Sequence, residues 1–196
     1  RQRQMCIRDS IYSSPVSSVI FGPEGHLLAS HSEKGLLHWT RTSEWKLRRT
    51  LGDQEREDPF PDRVLSLAFH PNGQILAAGS GIPSRDGSLT LWNIADGQIQ
   101  GVIKAHQDTI TGLAFSPDGR RIASSSTDRY IRIHQIDTQE MLTQLEGHTS
   151  HVLDVAWSAD GETIASAGAD HVAKLWTVAT RKQKKTEAGF KKELTT

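Results

Sequence analysis

Residues 147–177 read GHTSHVLDVAWSADGETIASAGADHVAKLWT, and the order of residue types in this stretch decides the fold. Val152 to Trp157 is a short run rich in branched and aromatic residues, which favour extended backbone. It ends at Ser158-Ala159-Asp160-Gly161, a turn composition whose glycine accepts positive φ at no steric cost. Thr163 to Ser166 reads as a second strand. The Asp170-His171 turn then leads into a third, in which Leu175 keeps the alternation of a half-buried strand.

The same pattern recurs without gaps at an offset of 42 residues: His106 maps to His148, Phe115 to Trp157, Asp118 to Asp160, Gly119 to Gly161, Ser124 to Ser166 and Asp128 to Asp170. Gly147 maps in turn to Gly189. In the preceding copy Asp86 and Trp92 keep the offset, but Phe69 and Gly73 lie 46 residues before Phe115 and Gly119, so four residues are inserted between Gly73 and Asp86. An earlier copy starts near Val16, where Phe21, Pro23, Gly25 and Ala29 precede their counterparts by 48. Each copy also carries a fourth, more polar run, such as Met141 to Leu145, suited to a solvent-facing edge strand. Four short antiparallel strands per unit of roughly 40 residues predict an all-β propeller.

At this point the chain resembles the WD-repeat family. Gly147-His148, the Val152–Trp157 strand, Ser158-Ala159-Asp160-Gly161, Ser166, Asp170 and Leu175-Trp176 reproduce the family pattern in order and spacing. The name-giving Trp-Asp pair is intact nowhere, the four positions reading Trp39-Thr40, Trp92-Asn93, His134-Gln135 and Trp176-Thr177. Blades are expected at 16–51, 64–104, 110–145 and 152–187, with 189–196 opening a fifth. The resemblance implies a ring of about seven blades, so an open fragment of a larger propeller is expected. Residues 1–10, including the sole cysteine Cys6, share no pattern with the rest; Met5 to Ser10 resembles a translated sequencing adapter and is set aside as non-native.

Composition narrows the function classes. Formal net charge is zero with 23% charged residues, so no global field draws the chain toward nucleic acid or an anionic membrane. No apolar run is long enough to span a bilayer as a helix. Nucleic-acid and membrane partners are therefore not expected, and no small-molecule substrate is identified. The compartment stays open, with the cytoplasm favoured and the periplasm allowed.

His148, Ser166 and Asp170 have the composition of a hydrolase triad. The resemblance implies instead that they join Trp176 in a structural hydrogen-bond network inside the blade. A nucleophilic serine would need exposure beside an oxyanion hole, and no nucleophile-elbow motif surrounds Ser166. The third copy keeps His106, Ser124 and Asp128 but has His134 where the indole is expected, which predicts a weaker network. The second copy keeps only Asp86 and Trp92. The spacing of His148 and His151 invites a zinc hypothesis, but no acidic or cysteine partner completes a ligand set. No phosphate-binding loop is present. No catalytic residue, metal or cofactor is expected.

The basic residues Arg181, Lys182, Lys184, Lys185, Lys191 and Lys192 read as a solvated edge strand and turn. The acidic stretch Asp53 to Asp62 reads as a connection between blades, with Phe60 unplaced. For partner binding, the resemblance points to the loops that lead into first strands and those joining second to third strands. The residues expected there are Asp108, Thr127, Arg129, Ser150, His151 and His171, with the inserted Ile82-Pro83-Ser84-Arg85 as the most distinctive feature. The expected role is a non-catalytic scaffold for protein or peptide partners. The alternative is an accessory propeller of a larger enzyme or c-type cytochrome protein, suggested by the tail Lys182 to Thr196.

Overall fold

The computed structural model describes residues 16–23, 27–32, 37–41, 46–51 and 63–188. The N-terminal ten residues, the acidic stretch with Phe60 and residues 189–196 lie outside these. Among the described residues, sixteen strands form four antiparallel sheets of four. The first sheet holds β1 (Val16–Phe21), β2 (Leu27–Ser32), β3 (Leu37–Arg41) and β4 (Lys46–Leu51). The second holds β5 (Val64–Phe69), β6 (Ile75–Ile82), β7 (Asp86–Asn93) and β8 (Ile99–His106). The third comprises β9 (Ile110–Phe115), β10 (Arg121–Ser126), β11 (Ile131–Gln135) and β12 (Met141–Leu145). The fourth comprises β13 (Val152–Trp157), β14 (Thr163–Gly168), β15 (Ala173–Thr177) and β16 (Lys182–Glu187).

Strand order within each sheet follows the sequence, which only tight hairpins permit. The first-to-second hairpins close alike: the Gly119 amide donates to the Ser116 carbonyl at 2.8 Å and the Gly161 amide to the Ser158 carbonyl at 2.9 Å. The inner strands β1, β5, β9 and β13 pack in series, so the sheets stand side by side as blades along an arc.

The core lies between blades. One face of the first meets the second through Leu51, Val64, Leu76 and Trp92. Leu89, Leu91, Ile110 and Ile122 fill the next interface, and Ile131, Ile133, Val152, Ile164 and Trp176 the last. The outer strand β16 is exposed along its whole length, which explains its run of lysines.

One irregularity recurs. The register of the first strand against the second slips at its second residue in all four blades, leaving Ser17, Leu65, Thr111 and Leu153 as bulged residues. A bulge re-aims the side chain it carries. The Ser17 hydroxyl accordingly donates to the Val64 carbonyl of the next blade at 3.1 Å, and Thr111 to the Val152 carbonyl at 2.6 Å. Leu65 has no hydroxyl to make such a bond.

Candidate functional site

The Ser-His-Asp constellations lie inside the blades. In the fourth blade the Nδ1 of His148 donates to Asp170 at 2.9 Å and its Nε2 sits 2.8 Å from the Ser166 hydroxyl. Trp176 donates its indole N–H to the same hydroxyl oxygen at 2.9 Å. These partners fix the tautomer: Nδ1 carries the proton, and the hydroxyl donates to Nε2. Burial holds the His148 imidazole below its ordinary pKa, although Asp170 opposes it. Ser166 is only 4% exposed, so the hydroxyl that a nucleophile would need faces no solvent. Asp170 also accepts the Thr149 amide at 2.9 Å, which locks the incoming loop.

In the third blade His106 contacts Asp128 at 3.0 Å and Ser124 at 2.8 Å. His134 occupies the indole position, and among the described residues its buried Nδ1 has no hydrogen-bond partner. Arg132 enters this network instead: Nη1 donates to Asp128 at 2.6 Å and to the Ala105 carbonyl at 3.1 Å. Burial would push the Asp128 carboxyl up, but His106, the Tyr130 amide and Arg132 together hold it far below the carboxylate range. The weaker network expected from the sequence overlooked this arginine. In the second blade Asp86 accepts the Ser88 hydroxyl at 2.7 Å, and Trp92 is buried.

The end of the blades that carries the second-to-third-strand loops opens a cleft of about 350 Å³, lined by Arg63, Leu65, Gly81, Pro83, Ser84, Asp108, Thr109, Thr127 and His151. Three residues expected to bind a partner, Asp108, Thr127 and His151, therefore share one cavity with part of the insertion. Arg129 and His171 occupy the positive-φ corners of adjacent turns, at 76° and 62°, with exposed side chains. Ser150 and Arg85 flank the cleft in sequence without lining it. Ile82 is half-buried, because the insertion lengthens the hairpin: Gly81 pairs with Gly87 and Ile82 with Asp86, leaving Pro83-Ser84-Arg85 as the loop. The Arg85 amide closes it on the Ile82 carbonyl at 3.0 Å, with Ser84 at φ 58°.

Asp108 ties this hairpin to the third blade. Burial would raise its pKa, but the amides of Ser84 and Thr109, the Thr127 hydroxyl and the nearby His151 outweigh burial and lower it. The Ser126 hydroxyl donates to the Asp108 carbonyl at 3.0 Å. Close approach needs glycine here: a Cβ on Gly87 would strike the Asp108 carbonyl oxygen and come within 2.7 Å of the His106 Cβ.

Arg63 and Leu65 were not singled out from the sequence. The available signal was the bulge position, which reads Ser17, Leu65, Thr111 and Leu153. Where leucine replaces a hydroxyl between blades two and three, the joint gives way to the cleft. At the opposite end a groove of about 510 Å³ runs between blades three and four, lined by Arg121, Leu142, Val178 and Arg181 among others, and holds none of the expected partner residues. Among the described residues no group of three or more His, Cys, Asp or Glu could hold a metal ion, and no helix is long and apolar enough to cross a membrane.

A solved structure titled "Structure of U3-55K" superposes with a TM-score of 0.83 over 94% of this chain and 55% of that one, at 18% identity. A second, "Crystal structure of RRP9 WD40 repeats", gives 0.83 over 94% and 54% at the same identity. At such identity the likeness establishes the propeller fold alone. In sequence the chain is 30% identical over 156 residues to Periodic tryptophan protein 2 homolog of Schizosaccharomyces pombe, covering 69% of this chain and 17% of that protein. It is 33% identical over 131 residues to Chromatin assembly factor 1 subunit FAS2 homolog of Oryza sativa subsp. japonica, covering 64% and 24%. Pre-mRNA-processing factor 19 of Bos taurus matches at 22% identity over 74% of this chain and 28% of its own length. The chain thus spans between 17% and 28% of the length of these relatives. The profile described as WD domain, G-beta repeat matches residues 52–93, 97–135 and 139–177, more than half of the chain. The chain belongs to the WD-repeat family, and the units matched at 97–135 and 139–177 each join the outer strand of one blade to the first three strands of the next.

Proposed function

We propose that this chain is a non-catalytic scaffold that docks a protein or peptide partner in the cleft between its second and third blades. The observation that carries the reading is the close seating of the inserted hairpin on the loop into the next blade, where a Cβ on Gly87 would strike the Asp108 carbonyl and one on Gly81 would lie 2.6 Å from the Thr109 Cα, so that the rim of the cleft is preformed. Preformed concave sites with a few placed polar groups bind without a large ordering cost. Leu65 and Pro83 give the cleft apolar wall, while Arg63, Asp108, Thr127 and His151 supply direction. The non-catalytic reading is supported by the burial of the Ser-His-Asp sets, whose polar atoms are already committed to one another.

Two of the relatives named above are assembly or processing factors by name, which suits a scaffold. Since those names include a pre-mRNA-processing and a chromatin assembly factor, they give no support to the sequence-based exclusion of nucleic acid.

The test is selection of a random displayed-peptide library against the immobilised chain, followed by affinity measurement on Leu65→Trp, which fills the cleft from its floor. Enriched peptides should lose about tenfold or more in affinity, as expected when a central apolar pocket is blocked. Peptides that bind both chains alike, or no enrichment while Leu65→Trp melts like the wild type, would overturn the reading.

A further inference from the structure

We propose that a second docking site lies on the outer edge of the third blade, where β12 and the groove beside it take an extended, uncharged peptide segment that presents an amide donor. It is separate from the cleft between blades two and three and does not depend on it. In all four blades the outer strand slips register against the third strand, which leaves Arg48, Gln100, Leu142 and Lys184 as bulged residues. Three of these are polar or charged. A bulge re-aims the side chain it carries, and in the third blade that side chain is a leucine, 40% exposed, on the wall of the groove of about 510 Å³ between blades three and four. Met141 beside it is 54% exposed. β12 also holds no charged residue, whereas β4, β8 and β16 each carry at least one lysine. Charge on an edge strand guards it against pairing with another strand, and β12 alone lacks that guard.

The neighbouring seam shows what covers such a groove. Between blades two and three the Gln139 side chain lies over Gly101, where an added Cβ would come within 2.6 Å of its Cδ, and its Nε2 donates to the carbonyl of the bulged Gln100 at 3.5 Å. At the 42-residue offset Gly101 becomes Thr143, Gln100 becomes Leu142 and Gln139 becomes Arg181. Thr143 puts a side chain where the carboxamide would lie, and among the described residues Arg181 makes no side-chain hydrogen bond. The seam is thus left open, and an amide from outside can take the part that Gln139 plays next door. Charges around the groove cancel: Arg121 pairs with Asp118 at 3.8 Å and lies over the Trp157 ring at 4.8 Å, while Arg181 and Glu162 bring one charge of each sign. An uncharged segment therefore fits, and an open strand edge is answered by extended backbone with alternate side chains in the groove.

The test selects a displayed library of random nine-residue peptides on the chain and measures the enriched peptides by fluorescence anisotropy. Those that bind here should be uncharged and carry glutamine or asparagine, and exchanging that residue for glutamate or aspartate, which removes the N–H, should weaken them about tenfold. Leu142→Lys installs the residue that the fourth blade holds at this place, and Thr143→Gly with Arg181→Gln rebuilds the self-covered seam of the second and third blades. Each should weaken binding about tenfold or more while melting like the wild type. Leu65→Trp, in the other cleft, should leave it within about twofold.

Amide exchange on the wild-type chain gives a readout that needs no variant: bound peptide should slow exchange in Met141–Leu145. No slowing there would overturn the inference, as would an absence of enriched peptides or peptides that ignore both groove variants. Peptides that need Leu142 but carry net charge, or that bind equally well as the glutamate form, would overturn the amide-bearing, uncharged occupant. Peptides lost on Leu65→Trp alone belong to the other cleft and, found without any of the first kind, would overturn this site while leaving that one standing.

Discussion

Arg132 donates to Asp128 at 2.6 Å in the third blade, whereas Lys174, its counterpart in the fourth, turns away from Asp170 toward Gln183 at 3.0 Å. The two blades therefore support the same histidine and turn aspartate by different means: an indole holds the serine hydroxyl in one, and a guanidinium supplies a further donor to the aspartate in the other. Arg132→Leu should lower the urea-unfolding free energy by about 2–4 kcal/mol, since a buried carboxylate loses a charged donor. A change below about 0.5 kcal/mol, the range of ordinary surface substitutions, would show that His106 and the Gln107 and Tyr130 amides hold Asp128 without it.

His148→Ala leaves Asp170 and Ser166 short of a partner and should cost about 1–3 kcal/mol in the same assay. Trp176→Phe keeps most of the ring but removes the indole N–H. It should cost less, about 1 kcal/mol, and an equal or larger loss would mean that packing governs the site.

His134→Trp would supply the indole missing from the third blade, yet it should destabilise on its own. In the fourth blade the Trp176 ring tip lies where a Cβ on Gly147 would be 3.0 Å away. The third blade has Ala105 at the equivalent position, and that methyl stands in the ring's path. Overpacking should cost about 1–3 kcal/mol, and Ala105→Gly should recover part of it. A double-mutant cycle reads the coupling directly, and strict additivity would refute the clash.

Acid should destabilise the chain in two stages. Burial lowers the imidazole pKa of His134 from 6.5 to about 4 and also lowers those of His106 and His148. The unfolded chain takes up these protons first, so stability is fully present above pH 6.5 and falls as pH drops toward 4, by about 3 kcal/mol for His134 alone. Asp128 and Asp170 lie below the ordinary carboxylate value of 3.8, so their contribution is lost only as pH falls beneath it. Urea unfolding at a series of pH values should show the first decline, and His134→Leu should flatten it.

Gly87→Ala tests the hairpin clamp. The added methyl meets the Asp108 carbonyl, which is backbone and cannot swing aside. A loss of about 2 kcal/mol or more is expected, together with loosening of the cleft that shows as faster amide exchange at Ser84.

The strands of blades three and four were legible because an ungapped 42-residue offset places Ile122, Ser124 and Asp128 over Ile164, Ser166 and Asp170. Backbone pairing needs only the alternation and the turn residues, and both are local. Arg132 was not legible because its partners depend on which way a long side chain leans across the sheet, and spacing does not encode that. Leu65 and Arg63 escaped for a related reason. A leucine in a first strand reads as core, and only the bulge that turns it toward the neighbouring blade reveals it as cleft wall.

The interblade bonds of Ser17, Thr111 and Trp157 share one property: each ends on a backbone carbonyl, that of Val64, Val152 and Ala114 respectively. A carbonyl is supplied by every amino acid, so such a seam recognises the shape of its neighbour and ignores its identity. A gene segment encoding one unit can then be duplicated, moved or allowed to drift while the seam still closes. Copies as dissimilar as those beginning at Val16 and Val152 can stand in the same row for that reason.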